Sequence, residues 1–96
     1  MTNNNTISIK YSDEKLRILV EEYITQQRNT ITLKGVCSYV LYWAMEDGKA
    51  MQEGESLFDG SAIKDGDQQR ISHILDTIAA DGRLTKETDH YQLLNS

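Results

Sequence analysis

The sequence has one cysteine, few basic residues and no long apolar run. A single cysteine cannot form an internal disulfide, which fits a reducing compartment. No apolar stretch approaches the ~20 residues needed to cross a bilayer. The polar, uncharged start Met1–Thr6 is unlike a signal peptide. These absences predict a cytoplasmic protein with no membrane contact.

The shortage of basic residues bears on function. Ten Lys and Arg stand against fifteen Asp and Glu, for a net charge of −5. Residues 1–48 hold five basic and six acidic groups, whereas residues 49–96 hold five basic and nine acidic groups. Nucleic-acid binders concentrate Lys and Arg where they meet phosphate. The acidic second half therefore counts against extensive phosphate contact.

The totals describe an ordinary small domain. Ninety-six residues, 39% apolar and 26% charged, are typical of one soluble globular domain with a thin core. Cys37 lies inside the most apolar stretch of the chain, so we interpret it as a core thiol rather than a reactive one.

The first part of the chain predicts a short strand and a helix. Residues 6–11 alternate between apolar and polar side chains, which indicates a short strand or an arm that extends onto a partner. Ser12 or Asp13 can cap a first helix over residues 13–27. Thr30–Leu33 is a brief β-branched run that can form a small strand paired with a later hairpin.

A second, central helix is predicted over residues 34–47. Its apolar side chains cover more than half of its circumference: Val36, Cys37, Val40, Leu41, Trp43 and Ala44. Tyr39, Tyr42 and Trp43 can stack on a base or ligand, but aromatic residues at helical spacing beside Val and Leu favour a core interpretation. The excess of apolar surface also permits a homodimer contact through the first two helices.

Residues 49–66 contain three glycines and show no clear period, which predicts a long internal loop. Leu57, Phe58 and Ile63 are candidate anchors to the core, and residues 55–59 can form one helical turn.

The last third predicts a helix followed by a hairpin. Asp67 is a candidate N-cap, Ile71, Ile74, Leu75 and Ile78 share one helix face, and Gly82 suits the helix end. Residues 84–86 and 90–94 then flank the polar turn 87–89, as in a small antiparallel hairpin.

A capped helix that runs into a hairpin resembles the recognition helix and wing of the winged helix-turn-helix superfamily. The resemblance implies a mostly α fold with a small β-hairpin (α+β), in which an N-terminal arm or strand (1–12) precedes a single winged-helix domain (13–96). The predicted loop is longer than the ~3–4-residue turn of the tightest helix-turn-helix units.

The resemblance also implies a candidate site and function. The start of the third helix would enter the DNA major groove and the wing would touch phosphate. The DNA-binding candidates are Gln68, Gln69, Arg70, Ser72 and His73 on the helix, Lys86 on the wing, joined by His90 if it is protonated, and Lys34 and Lys64 toward phosphate. The expected protein is a transcriptional regulator that binds double-stranded DNA as a homodimer.

Two alternatives remain open. The polar residues of the third helix can simply be its solvated side. The domain can also be an acidic protein-protein interaction module, an adaptor or an inhibitor of a DNA-binding partner. Acidic residues lie near the supposed phosphate path, where each adds repulsion: Asp65, Asp67, Glu87 and Asp89.

No enzyme, metal or cofactor is expected. An EF-hand loop that starts at Asp59 places Lys64 at its sixth position, and one that starts at Asp65 places Arg70 there, where glycine is required. Cys37, His73 and His90 belong to no paired zinc motif. The sequence also lacks the nucleophile elbow, the phosphate-binding loop and the dinucleotide fingerprint.

Overall fold

A computed structural model describes residues 7–27, 30–52 and 63–93. These residues form three helices and five short strands, in the order β1 (Ile7–Ile9), α1 (Asp13–Gln26), β2 (Thr30–Ile31), α2 (Leu33–Glu46), β3 (Ala50–Gln52), α3 (Asp65–Ala80), β4 (Leu84–Lys86) and β5 (Tyr91–Leu93). The described part of the chain is therefore a mixed α+β fold. The predicted anchors Leu57 and Phe58 and the predicted turn at 55–59 lie outside the described residues.

Local capping explains where the first two helices begin and end. The Ser12 hydroxyl accepts a hydrogen bond from the Lys15 N–H at 3.2 Å, and the Thr32 hydroxyl accepts one from the Gly35 N–H at 3.0 Å. Such side-chain acceptors satisfy N–H groups that a helix start leaves without partners. After α2 the chain turns at Gly48, whose φ of +71° favours glycine.

The start of α3 corrects one prediction. Asp67 is not the N-cap, because the helix begins two residues earlier, at Asp65, and Lys64 in the cap position makes no side-chain cap hydrogen bond. The Asp67 carboxylate instead accepts a hydrogen bond from the backbone N–H of Ile9 at 2.9 Å. Asp67 is therefore a suitable capping residue by type, but its side chain binds the backbone of Ile9 instead. The spacing of residues in the sequence cannot reveal such a long-range contact.

One antiparallel sheet joins the middle of the chain to its end. Its strand order is β2-β5-β4, with Ile31 opposite Tyr91 and Lys86 also opposite Tyr91 on the other side. The predicted hairpin and its predicted pairing with the run after the first helix are both confirmed. The sheet therefore holds the hairpin against the segment between α1 and α2.

A second sheet was not expected. β1 pairs antiparallel with β3, and Ile7 also forms a parallel bridge with Ile63. Residues 50–52 are therefore a strand, although the sequence analysis placed them in a loop over residues 49–66. A strand this short has too little periodicity to be recognised before its partner is known.

The core joins the helices to both sheets. Its buried side chains come from all three helices and from β1, β2, β4 and β5, and every buried side chain in the described ranges is apolar or aromatic. Ile63 is fully buried, which confirms it as an anchor, and Cys37 is 1% exposed, which confirms it as a core thiol. Burial raises the pKa of the Cys37 thiol to about 12, so it is inert as a nucleophile.

Within the described ranges, none of the helices has the length and apolar character needed to cross a membrane.

Candidate recognition surface

The candidate surface comprises the outward side of α3 from Asp65 to Asp76 and residues 86–90 of the hairpin. We call it the α3–hairpin surface. Two open cavities flank its helical part, of about 350 Å³ and about 210 Å³. Gln69 lines both cavities, so it lies on the ridge between them. The first cavity is at the small end of the ~300–1,000 Å³ usual for ligand pockets.

The polar residues assigned to base contact fall into two groups. Gln69 and His73 are exposed on the outward side of α3. Gln68 and Ser72 are half-buried, and the Gln68 side chain donates a hydrogen bond to the Ile63 carbonyl at 2.7 Å. Gln68 is thus used to hold the start of the helix, which leaves Gln69 and His73 as the more available pair.

Arg70 is bound to the rest of the fold through its whole guanidinium. Nε donates to Asp13 at 2.9 Å and Nη1 to Asp67 at 2.9 Å. Nη2 and Nη1 also donate to the backbone carbonyls of Tyr11 and Ile9, at 2.7 and 3.4 Å. With Asp67 accepting from the Ile9 N–H, this cluster fastens the N-terminal strand to α3.

The hairpin cation is also paired. Lys86 Nζ lies 3.0 Å from the Asp76 carboxylate, which in turn accepts a hydrogen bond from the Tyr91 hydroxyl at 2.6 Å. Hydrogen bonding by Tyr91 and the nearby Lys86 hold the pKa of Asp76 below its usual value. Burial and the Asp76 contact raise the pKa of Tyr91 to about 12. Asp76 thus links the hairpin to α3.

His90 makes a local pair in the hairpin turn. Its Nδ1 lies 2.7 Å from the Asp89 carboxylate. The hydrogen bond to His90 lowers the pKa of Asp89, so this carboxylate stays charged at neutral pH. Glu87 and Thr88, which complete the turn, are exposed.

The two remaining phosphate candidates lie at helix starts. Lys34 is exposed in the first turn of α2, and Lys64 is half-buried immediately before α3. Their neighbours Leu33 and Asp65 line the same cavity. The fold therefore brings the beginnings of α2 and α3 together, but it places carboxylates there as well.

The described residues contain no group of three or more His, Cys, Asp or Glu side chains arranged to hold a metal ion.

The aromatic residues of α2 agree only in part with the core interpretation. Tyr39 is partly buried against the core, as expected, whereas Tyr42 is 58% exposed and Trp43 is 39% exposed. The core interpretation was therefore wrong for Tyr42 and Trp43. The sequence does indicate that some apolar residues of α2 are exposed. A helix that is apolar over more than half of its circumference has more apolar side chains than one core-facing side can bury.

Comparison with protein-family models, with curated proteins and with solved structures gave no match to this chain.

Proposed function

We propose that this chain is a winged-helix domain that binds a basic segment of a partner protein through its α3–hairpin surface. The topology supports the winged-helix part of this proposal. The strand between the first two helices, β2, pairs with the second hairpin strand, and α3 runs directly into the hairpin. β1 and β3 are additions to the simple three-helix and wing arrangement.

The observation that carries the protein-binding half is that the basic side chains of this surface already have carboxylate partners. Arg70 lies between Asp13 and Asp67, Lys86 is held by Asp76, and the His90 ring lies beside Asp89. Binding to DNA phosphate would have to compete with these carboxylates and with the exposed Glu87. A basic protein segment is favoured instead, because the carboxylates of this surface outnumber its two cations, Arg70 and Lys86: Asp65, Asp67, Asp76, Glu87 and Asp89.

DNA binding is the second candidate. Gln69 and His73 favour it, because they are exposed on the part of α3 that would enter the major groove. Gln is suited to adenine, and a groove contact through Gln69 does not require Arg70 to leave its partners. The expected assembly in that case is a homodimer on a two-fold symmetric site.

The test uses two fluorescent probes at low salt, a duplex DNA and a short peptide of alternating arginine and alanine, with anisotropy as the readout. The key variant, Glu87→Gln with Asp89→Asn, neutralises the hairpin turn. If a basic protein segment is the ligand, this variant weakens peptide binding. If DNA is the ligand, the same variant strengthens duplex binding.

A matched control neutralises two exposed carboxylates on α1, through Glu14→Gln with Glu22→Gln. It changes the net charge by the same amount but leaves the α3–hairpin surface intact. Equal effects of the two double variants on peptide binding would show a nonspecific charge effect and reject the proposed surface. Duplex binding without peptide binding would reject the protein-binding proposal in favour of the DNA candidate.

A further inference from the structure

Four aromatic side chains form a continuous row across α1 and α2. The ring centroids of Tyr23 and Tyr39 are 5.3 Å apart, those of Tyr39 and Trp43 are 6.4 Å apart, and those of Tyr42 and Trp43 are 5.3 Å apart. We call these four residues the aromatic surface. None of them lines the two cavities beside α3.

The inner part of the row is held in place by the fold. Tyr23 and Tyr39 are partly buried against the core, and the Gln26 side-chain amide donates to the Tyr39 hydroxyl at 3.3 Å. The Tyr23 hydroxyl packs over Gly35 so closely that a Cβ at that position would lie 2.5 Å from it. Tyr42 and Trp43 are exposed, and Trp43 packs against Tyr39, whose position is fixed by the core.

The two outer rings are accessible to a partner. The planes of Tyr42 and Trp43 are at 84° to each other in an edge-to-face contact, and the two residues are 58% and 39% exposed. Aromatic faces carry negative electrostatic potential and attract ammonium and guanidinium groups. Glu46 is exposed one helical turn beyond both residues and has no ion pair with the described residues. Its carboxylate adds to the attraction.

We infer that the aromatic surface binds an arginine or lysine side chain of a partner protein. A second copy of the chain is a poorer occupant, because it carries the same net charge of −5 and would bring the same Glu46 to the interface. A purely apolar partner would leave that carboxylate beside it without compensation. This binding site goes beyond the α3–hairpin surface and does not depend on what that surface binds.

Trp43 is the only tryptophan in the chain, so its emission reports directly on the site. Titration of the full chain with the arginine and alanine peptide is expected to change Trp43 emission in a saturable way. The control peptide replaces each arginine with citrulline, which has the same shape but no charge, and is expected to leave the emission unchanged. An equal response to both peptides would overturn the inference.

Variants on the aromatic surface separate its parts. Tyr42→Leu removes one ring and is expected to weaken the response roughly tenfold, while Tyr42→Phe retains most of it. Glu46→Gln is expected to weaken it about threefold. Met51→Leu, at an apolar side chain that is exposed on β3, is the matched control and is expected to have no effect. Thermal melts of each variant confirm that the fold is intact.

Quenching of Trp43 provides a second measurement that needs no peptide. Caesium is expected to quench its emission better than iodide does, relative to free N-acetyltryptophanamide, and Glu46→Gln should reduce that preference. A preference for iodide would contradict the inferred negative potential.

The outcomes also separate this inference from the proposed function. A Trp43 response that persists in Glu87→Gln with Asp89→Asn supports the aromatic site whatever the hairpin binds. Peptide binding seen by anisotropy with no change in Trp43 emission overturns the inference and leaves the proposed function standing. A Trp43 emission that changes with protein concentration, together with loss of self-association in Tyr42→Leu, would assign the surface to a homodimer and overturn the inference.

Discussion

Arg70 and Lys86 have the same charge and both pair with carboxylates on α3, yet the fold uses them differently. The Arg70 side chain is 31% exposed and donates to two carboxylates and two backbone carbonyls, whereas the Lys86 side chain is 59% exposed and meets one carboxylate. A cation that satisfies half-buried acceptors is part of the structure, while an exposed pair contributes little. The comparison shows that charge alone does not mark a recognition residue.

Arg70→Met should give the largest loss of stability. The variant keeps the apolar length of the side chain but removes the Arg70 donors to the Tyr11 and Ile9 carbonyls and to the half-buried Asp67, which retains only its hydrogen bond from the Ile9 N–H. We expect the free energy of unfolding to fall by about 2 kcal/mol, below the ~3–5 kcal/mol of a fully buried pair. Urea denaturation measures the change. A loss below that of Lys86→Met would reverse the comparison.

Tyr91→Phe should have the next largest effect, because it removes the hydrogen bond to Asp76. We expect a loss of about 1 kcal/mol at neutral pH. The pKa of Tyr91 is raised from 10.0 to about 12, so its contribution is complete below pH 10 and is lost as the pH rises toward 12. The stability gap between wild type and variant should therefore close over this range.

Two other groups, Tyr11 and Cys37, also have raised pKa values. They titrate in both proteins, so the difference between the two denaturation curves isolates Tyr91. A gap that stays constant up to pH 12 would show that the Tyr91 hydroxyl does not depend on Asp76.

Asp76→Asn should have a smaller effect that appears on the acid side. The pKa of Asp76 is lowered from 3.8, chiefly by the Tyr91 hydrogen bond, so its contribution is present above that value and is lost as the pH falls through the folded pKa. The variant should lose less stability than wild type does between neutral pH and pH 3. Thermal melts across this range measure the difference, and parallel curves would contradict it.

Lys86→Met should have the smallest effect on stability, within about 0.5 kcal/mol, since its pair with Asp76 is exposed and screened by salt. Urea denaturation at low and high salt checks this. A loss comparable to that of Arg70→Met would mean that the hairpin depends on this lysine as much as the N-terminal strand depends on Arg70.

Much of the fold was predictable because it follows from local patterns. The apolar stripe of Ile71, Ile74, Leu75 and Ile78 predicted a helix face that is buried in the structure. The polar turn at 87–89 predicted the hairpin, and the run after Arg28 and Asn29 predicted the strand that pairs with it. In each case the period of the side chains matches the geometry of the element they form.

The errors arose where a residue's partner lies far along the chain. Asp67 fits an N-cap by type, but its position is set by Ile9, 58 residues away. Residues 50–52 form a strand because β1 is beside them. Trp43 has the spacing of a core residue, yet it is 39% exposed, because burial depends on which other elements pack against its side of α2.

The sequence by itself determined the helices, the hairpin and the buried face of α3, since these depend on the spacing of side chains within a few residues of each other. Only the tertiary structure decided that Arg70 is a structural clamp, that Lys86 is paired on the surface, and that Tyr42 and Trp43 remain exposed. Those outcomes depend on which distant groups come within hydrogen-bonding or packing distance when the elements assemble. A local sequence pattern does not indicate which distant residues these are.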